Sequence, residues 1–147
     1  MHEYNPSEFI ELIEPGFSFL LQEGYSSMGV RKEEQNLLGR SVTVEWENGA
    51  IKRIFRAKYI EPKPHAPMGT LIIEIKNLEP PKLDQDDYTT MTSCDVMIPR
   101  LSDLSGSFKA RIIECVSLAK IQLRGVLKPV LNGEVWEPSS LDWGGLK

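Results

Sequence analysis

The sequence predicts a single α+β domain, an antiparallel sheet of about four strands in a meander, flanked by an N-terminal helical segment and one long C-terminal helix. Three observations carry that expectation. Ser41 to Glu47 alternates apolar and polar residues, stops at Asn48-Gly49 and resumes as Ala50 to Ile60. Thr70 to Lys76 alternates in the same way, with Leu71, Ile73 and Ile75 on one face. Phe108, Ile112, Cys115 or Val116, Ala119, Leu123 and Val126 or Leu127 then recur at helical spacing up to about Lys128.

The first helix is announced by Asn5-Pro6-Ser7-Glu8: Asn5 suits a cap, Pro6 the first helical position, and Glu8 the place of a capping-box carboxylate. Phe9, Ile10, Leu12 and Ile13 give it an apolar side. Pro15-Gly16 interrupts it, and Phe17 to Leu21 resumes an apolar run ending near Gly24, as two short helices or one kinked helix. From Tyr25 to Glu34 the pattern is weak, and Arg31 to Asn36 reads as a polar loop or the exposed end of an edge strand. Asn48-Gly49 suits a two-residue primed turn, which sets Trp46 opposite Ile51, Val44 opposite Arg53 and Val42 opposite Phe55.

Glu61 to Pro67 holds three prolines in seven residues and predicts an extended connection rather than a central strand. Asn77 to Asp87 is a second loop, Tyr88 to Met97 a fourth strand, and Pro99 its end. Ser105-Gly106-Ser107 opens the long helix, whose polar face carries Lys109, Glu114, Ser117, Lys120 and Arg124. Pro129 breaks it. Trp136 is expected to fold back on the sheet or long helix, whereas Trp143, beside Gly144 and Gly145, suits an exposed position.

Composition bounds the function. The formal charge of −4 argues against a generic nucleic-acid binder. Lys52, Arg53, Arg56, Lys58 and Lys63 lie close in sequence, but they alternate faces imperfectly and Glu45, Glu47 and Glu61 offset them, so a solvated sheet face is expected. The two cysteines, Cys94 and Cys115, lack metal-binding spacing, and the start of the chain has neither a basic nor an apolar leader region. A cytoplasmic protein with reduced thiols, no membrane contact and no cofactor is the expectation.

No nucleophile elbow, phosphate-cradling glycine loop or His-Glu-x-x-His motif is present. Asp84-Gln85-Asp86-Asp87 alternates carboxylates as calcium loops do, yet lacks the loop glycine and the closing glutamate. It reads as a solvated acidic loop or as a docking surface for a basic protein. His65 reads as a loop histidine.

Phe9 to Leu12, Phe17 to Tyr25, Leu38 to Trp46 and Val130 to Trp136 together resemble small bacterial α+β immunity proteins, which protect a cell from a polymorphic or contact-dependent toxin. The resemblance implies inhibition by binding: the protein occludes the active site of a cognate toxin domain, such as a nuclease, and needs no catalytic residues. Local charge and loop position nominate Glu79, Asp84, Asp86, Asp87, Glu134 and Glu137 as partner-binding residues. Two other readings stay open. One is a ligand-binding or enzymatic domain with a pocket between sheet and long helix, to which His65 or Asp95 contributes. The other is a structural subunit that self-associates through a sheet edge.

Overall fold

In the computed structural model, which describes residues 2–37, 39–78 and 93–136, Asn5 caps helix α1 (Pro6–Gly16). Its Oδ1 accepts the backbone N–H of Glu8 at 3.1 Å, as the sequence predicts. Pro15 is held inside the last turn of α1, and a separate 3-10 turn, Ser18–Glu23, follows and ends at Gly24 with φ 91°. Gly16 permits the close approach of α1 to the long helix: a Cβ there would stand 2.7 Å from Val116 Cγ1.

The sheet has five strands among the described residues, β1 (Ser26–Asn36), β2 (Gly39–Asn48), β3 (Arg53–Ile60), β4 (Thr70–Asn77) and β5 (Ser93–Asp95), paired in that order and all antiparallel. The meander is as expected, and the strand missing from the sequence count is β1. Being an edge strand, it needs little apolar alternation, and its pairing with β2 slips twice, between Ser27 and Gly29 and between Val30 and Lys32. The expected fourth strand is confined to β5 within the described residues.

The hairpin forms, but its register differs from the Asn-Gly expectation by four residues. Trp46 pairs with Phe55, Val44 with Ala57, Val42 with Tyr59, and Asn48 with Arg53, leaving Gly49–Lys52 as the loop. Neither Asn48 nor Gly49 takes a positive φ; Lys52 does, at 57°. Two things favour the longer loop. Apolar residues then face one another along the whole hairpin, and Asn48 is kept within the strand, where its Nδ2 donates to the Glu23 carbonyl at 3.3 Å.

Val42, Val44 and Trp46, Phe55, Ala57 and Tyr59, and Leu71, Ile73 and Ile75 are buried on one face of the sheet. Onto them pack Phe9, Ile13, Phe17 and Leu20 from the N-terminal segment. Phe108, Ile112, Cys115, Ala119 and Leu123 arrive from α2 (Phe108–Arg124). Phe17 centres the aromatic contacts, with ring centroids 4.8 Å from Phe55 and 5.9 Å from Trp46. The long helix ends at Arg124, earlier than Lys128, because Gly125 adopts φ −116° and ψ −109° and leaves the helical path. Pro129 therefore lies in the first turn of a short helix, α3 (Lys128–Leu131), where its missing N–H costs nothing.

Arg53 ties these parts together. It is 4% exposed, on the inward side of β3. Its Nε donates to the Val130 carbonyl at 3.1 Å, Nη1 to Asn77 Oδ1 at 2.8 Å and to Ile51 O at 3.3 Å, and Nη2 to Val135 O at 3.2 Å. The Trp136 ring lies 4.9 Å from its guanidinium carbon, so Trp136 folds back as expected, held by a cation–π contact. Replacing Arg53 by Met strands several buried acceptors, and we expect a loss of about 2–4 kcal/mol in urea unfolding. Arg53→Lys should recover less than half of it, because an ammonium cannot reproduce the planar fork; a loss below about 0.5 kcal/mol for the Met variant would contradict this role.

Candidate functional site

Among the described residues the helices pack on one side of the sheet, and the opposite side carries side chains in rows set by strand register. One row runs Glu45, Arg56, Glu74 and Asp95 across β2 to β5; the next runs Glu47, Ile54, Lys76 and Ser93. Toward the other end, Thr43, Lys58 and Ile72 align, followed by Ser41, Ile60 and Thr70, with Ser41 and Thr43 themselves buried. Arg56 is the hub. Its Nε and Nη2 lie 2.7 and 2.6 Å from Glu45 Oε2, and its Nη1 lies 3.4 Å from Glu74 Oε1. All three side chains are half-buried, which reduces solvent screening and restricts their rotamers.

Ile54, Ile60 and Ile72 are half-exposed among these charges. The face therefore combines apolar area with fixed polar groups, and along β2 to β5 its four carboxylates (Glu45, Glu47, Glu74, Asp95) outnumber its three cations (Arg56, Lys58, Lys76). The basic residues that lie close in sequence are dispersed in the fold: Arg56 and Lys58 face outward, Arg53 is buried inward, and Lys52 lies in the loop. Such an arrangement lacks the continuous positive surface that phosphate neutralisation requires.

Of the nominated partner-binding residues, Glu79, Asp84, Asp86, Asp87 and Glu137 lie outside the described residues, as does Trp143. Glu134 is exposed after α3, and its N–H donates to the Pro129 carbonyl at 2.9 Å and to Asn132 Oδ1 at 3.1 Å. Glu134 is thus separated from the outward rows, on the side of the C-terminal segment that Arg53 anchors. Glu45, Glu74 and Arg56 were not singled out as site residues from sequence, although opposite charges at matched outward positions of a hairpin are the signal that identifies them once the register is known.

Two further surfaces stand out. α2 exposes Ile113, Leu118 and Ile121, and Val126 is exposed just beyond its end, while Lys120 and Arg124 lie 5.9 and 4.8 Å from the Phe19 ring centroid. A cleft of about 300 Å³ lies between the segment containing His65 and the stretch Ile98–Ser102, at the end of the sheet rather than between sheet and long helix. Asp95 does not line it. No cluster of metal-binding side chains occurs among the described residues, and none of their helices is long and apolar enough to cross a membrane.

Cys94 and Cys115 are both buried, and neither takes part in a disulfide. Burial, with Glu114 adding to it, pushes the Cys115 thiol up to about 11. Glu61 is held below the ordinary carboxylate range, first by a hydrogen bond from the Arg40 backbone N–H and then by the charges of Arg40 and Lys63. No protein-family model, curated protein or solved structure matches this chain.

Because its folded value is lowered, Glu61 stabilises the fold above the ordinary carboxylate range and loses that contribution as pH falls through its folded value. The stability difference between wild type and Glu61→Gln should therefore be full at neutral pH, begin to shrink near pH 4.5 and vanish in stronger acid, as read by urea midpoints at each pH. A difference independent of pH would contradict this. A double-mutant cycle on Glu45→Gln and Arg56→Met should give a coupling of about 0.5–1 kcal/mol, decreasing with added salt.

Proposed function

We propose that the chain is a binding protein of the immunity type, which silences a cognate toxin domain by covering its active site, and that the outward sheet face is its contact surface. One observation carries this reading: the Glu45–Arg56–Glu74 network fixes charged groups among half-exposed Ile54, Ile60 and Ile72 on a face that none of the described helices covers. Prior fixation lowers the side-chain entropy lost on association, and the isoleucines supply apolar area at the centre. Each carboxylate bound to Arg56 keeps further lone pairs for a partner's donors.

The excess of carboxylates suits a basic partner, as expected of a nuclease that must hold phosphates, and it accelerates encounter while penalising acidic competitors. Activity as an inhibitor requires no chemistry from this chain. It requires a rigid surface, and a sheet whose strands β2 to β4 are backed on the inner face by packed side chains provides one.

The test is capture of the tagged protein from its native cells, in parallel with the Glu47→Arg/Ile72→Arg variant, whose changes lie on half-exposed positions. The expected result is one stoichiometric partner, toxic when expressed alone and harmless beside the wild-type chain, whose retention falls at least tenfold with the variant (about 1.4 kcal/mol). A folded variant that retains the partner fully would remove the outward face from the interface, and a captured partner without toxicity would overturn the immunity reading.

A further inference from the structure

The cleft at the end of the sheet is independent of the outward face. His65 and Arg100 line it, and both are exposed; among the described residues neither side chain takes part in a hydrogen bond or ion pair. Leu71, Ile98 and Leu101 form its apolar wall, and Ser102 adds a hydroxyl. At about 300 Å³ the volume falls at the small end of ligand sites.

Both walls are held from behind. On the His65 side, Lys63 and Ala66 exchange backbone hydrogen bonds of 3.0 and 2.9 Å, and the Tyr59 hydroxyl donates to the Met68 carbonyl at 2.9 Å. Gly69, at φ 86°, passes so close to Tyr59 that a Cβ there would collide with the ring. On the opposite side, Arg111 Nη1 donates to the Leu101 carbonyl at 2.8 Å, and the Cys115 thiol lies 3.8 Å from the Pro99 carbonyl. The backbone of the cleft is thus set by the core, while its two basic side chains are left to a ligand.

We propose that this cleft binds a small monocarboxylate bearing a short branched apolar chain, with Arg100 gripping the carboxylate, His65 donating a second hydrogen bond, and Leu71, Ile98 and Leu101 enclosing the chain. A guanidinium matches a carboxylate through two parallel hydrogen bonds, and the apolar wall selects against a bare inorganic anion. The site is too small for a nucleotide and has no cluster of cations for a polyphosphate.

The experiment is a titration of the full chain with acetate, propionate, butyrate, isovalerate and inorganic phosphate at constant ionic strength, followed by amide correlation spectra. Shifts should centre on Ala66, Gly69, Leu71, Leu101 and Ser102, and affinity should rise about threefold to fourfold for each added methylene. Arg100→Gln, at an exposed position whose side chain has no partner among the described residues, should weaken isovalerate about tenfold while leaving the spectrum otherwise intact. Equal binding of phosphate and isovalerate, an unchanged affinity in Arg100→Gln, or no shifts at tens of millimolar ligand would each overturn the proposal.

Discussion

The guanidinium of Arg53 is the constraint on which the rest of the arrangement depends. A buried cation is costly unless its donors are satisfied, and here they end on oxygens from the hairpin loop, β4, α3 and the segment after α3. These parts are far apart in sequence; Val130 and Val135 are joined to β3 only by folding. Once Arg53 is in place, opposite Asn48 on one side and Asn77 on the other, every outward residue of β2, β3 and β4 falls into a fixed row. The charged network of Glu45, Arg56 and Glu74 is therefore a consequence of register, and register is stabilised from the inward face.

A sheet with its helices on one side divides its chemistry cleanly. The inward side spends its aromatic and aliphatic residues on the core, with Phe17 against Phe55 and Trp46, and Tyr59 between Phe9 and Phe108. The outward side retains polar rows, and their rotamers are restrained where Arg56 binds two carboxylates. At the far end of the sheet, loops that the core holds rigid leave a small cleft. The proposed recognition of a protein by the broad face and the proposed binding of a small acid in the cleft draw on different residues, so either proposal can fail without the other.

Much of the fold was legible in the residues, and the exceptions have physical causes. A shift of four residues preserves parity, so the inward set of Val42, Val44, Trp46, Phe55, Ala57 and Tyr59 is the same under the expected and observed registers. The charge pairing is not: the Asn-Gly register opposes Glu45 to Lys52 and Arg56 to Ser41, concealing the outward network. Asn48 is spent on the Glu23 carbonyl, a long-range bond invisible to local turn preferences. Strand β1 was obscured because bulges break its alternation, and the end of α2 because Gly125, rather than Pro129, leaves the helical path. Of the acidic positions nominated for binding, only Glu134 lies among the described residues, and its place beside α3 was not predictable from charge alone.

The outward face as the recognition surface is tested most directly by the isoleucine methyl spectrum of the chain in complex with its captured partner. Shifts and broadening are expected at Ile54, Ile60 and Ile72, with the methyls of Ile113 and Ile121 on the exposed side of α2 unchanged. Perturbation confined to Ile113 and Ile121 would place the partner on the long helix and contradict the account.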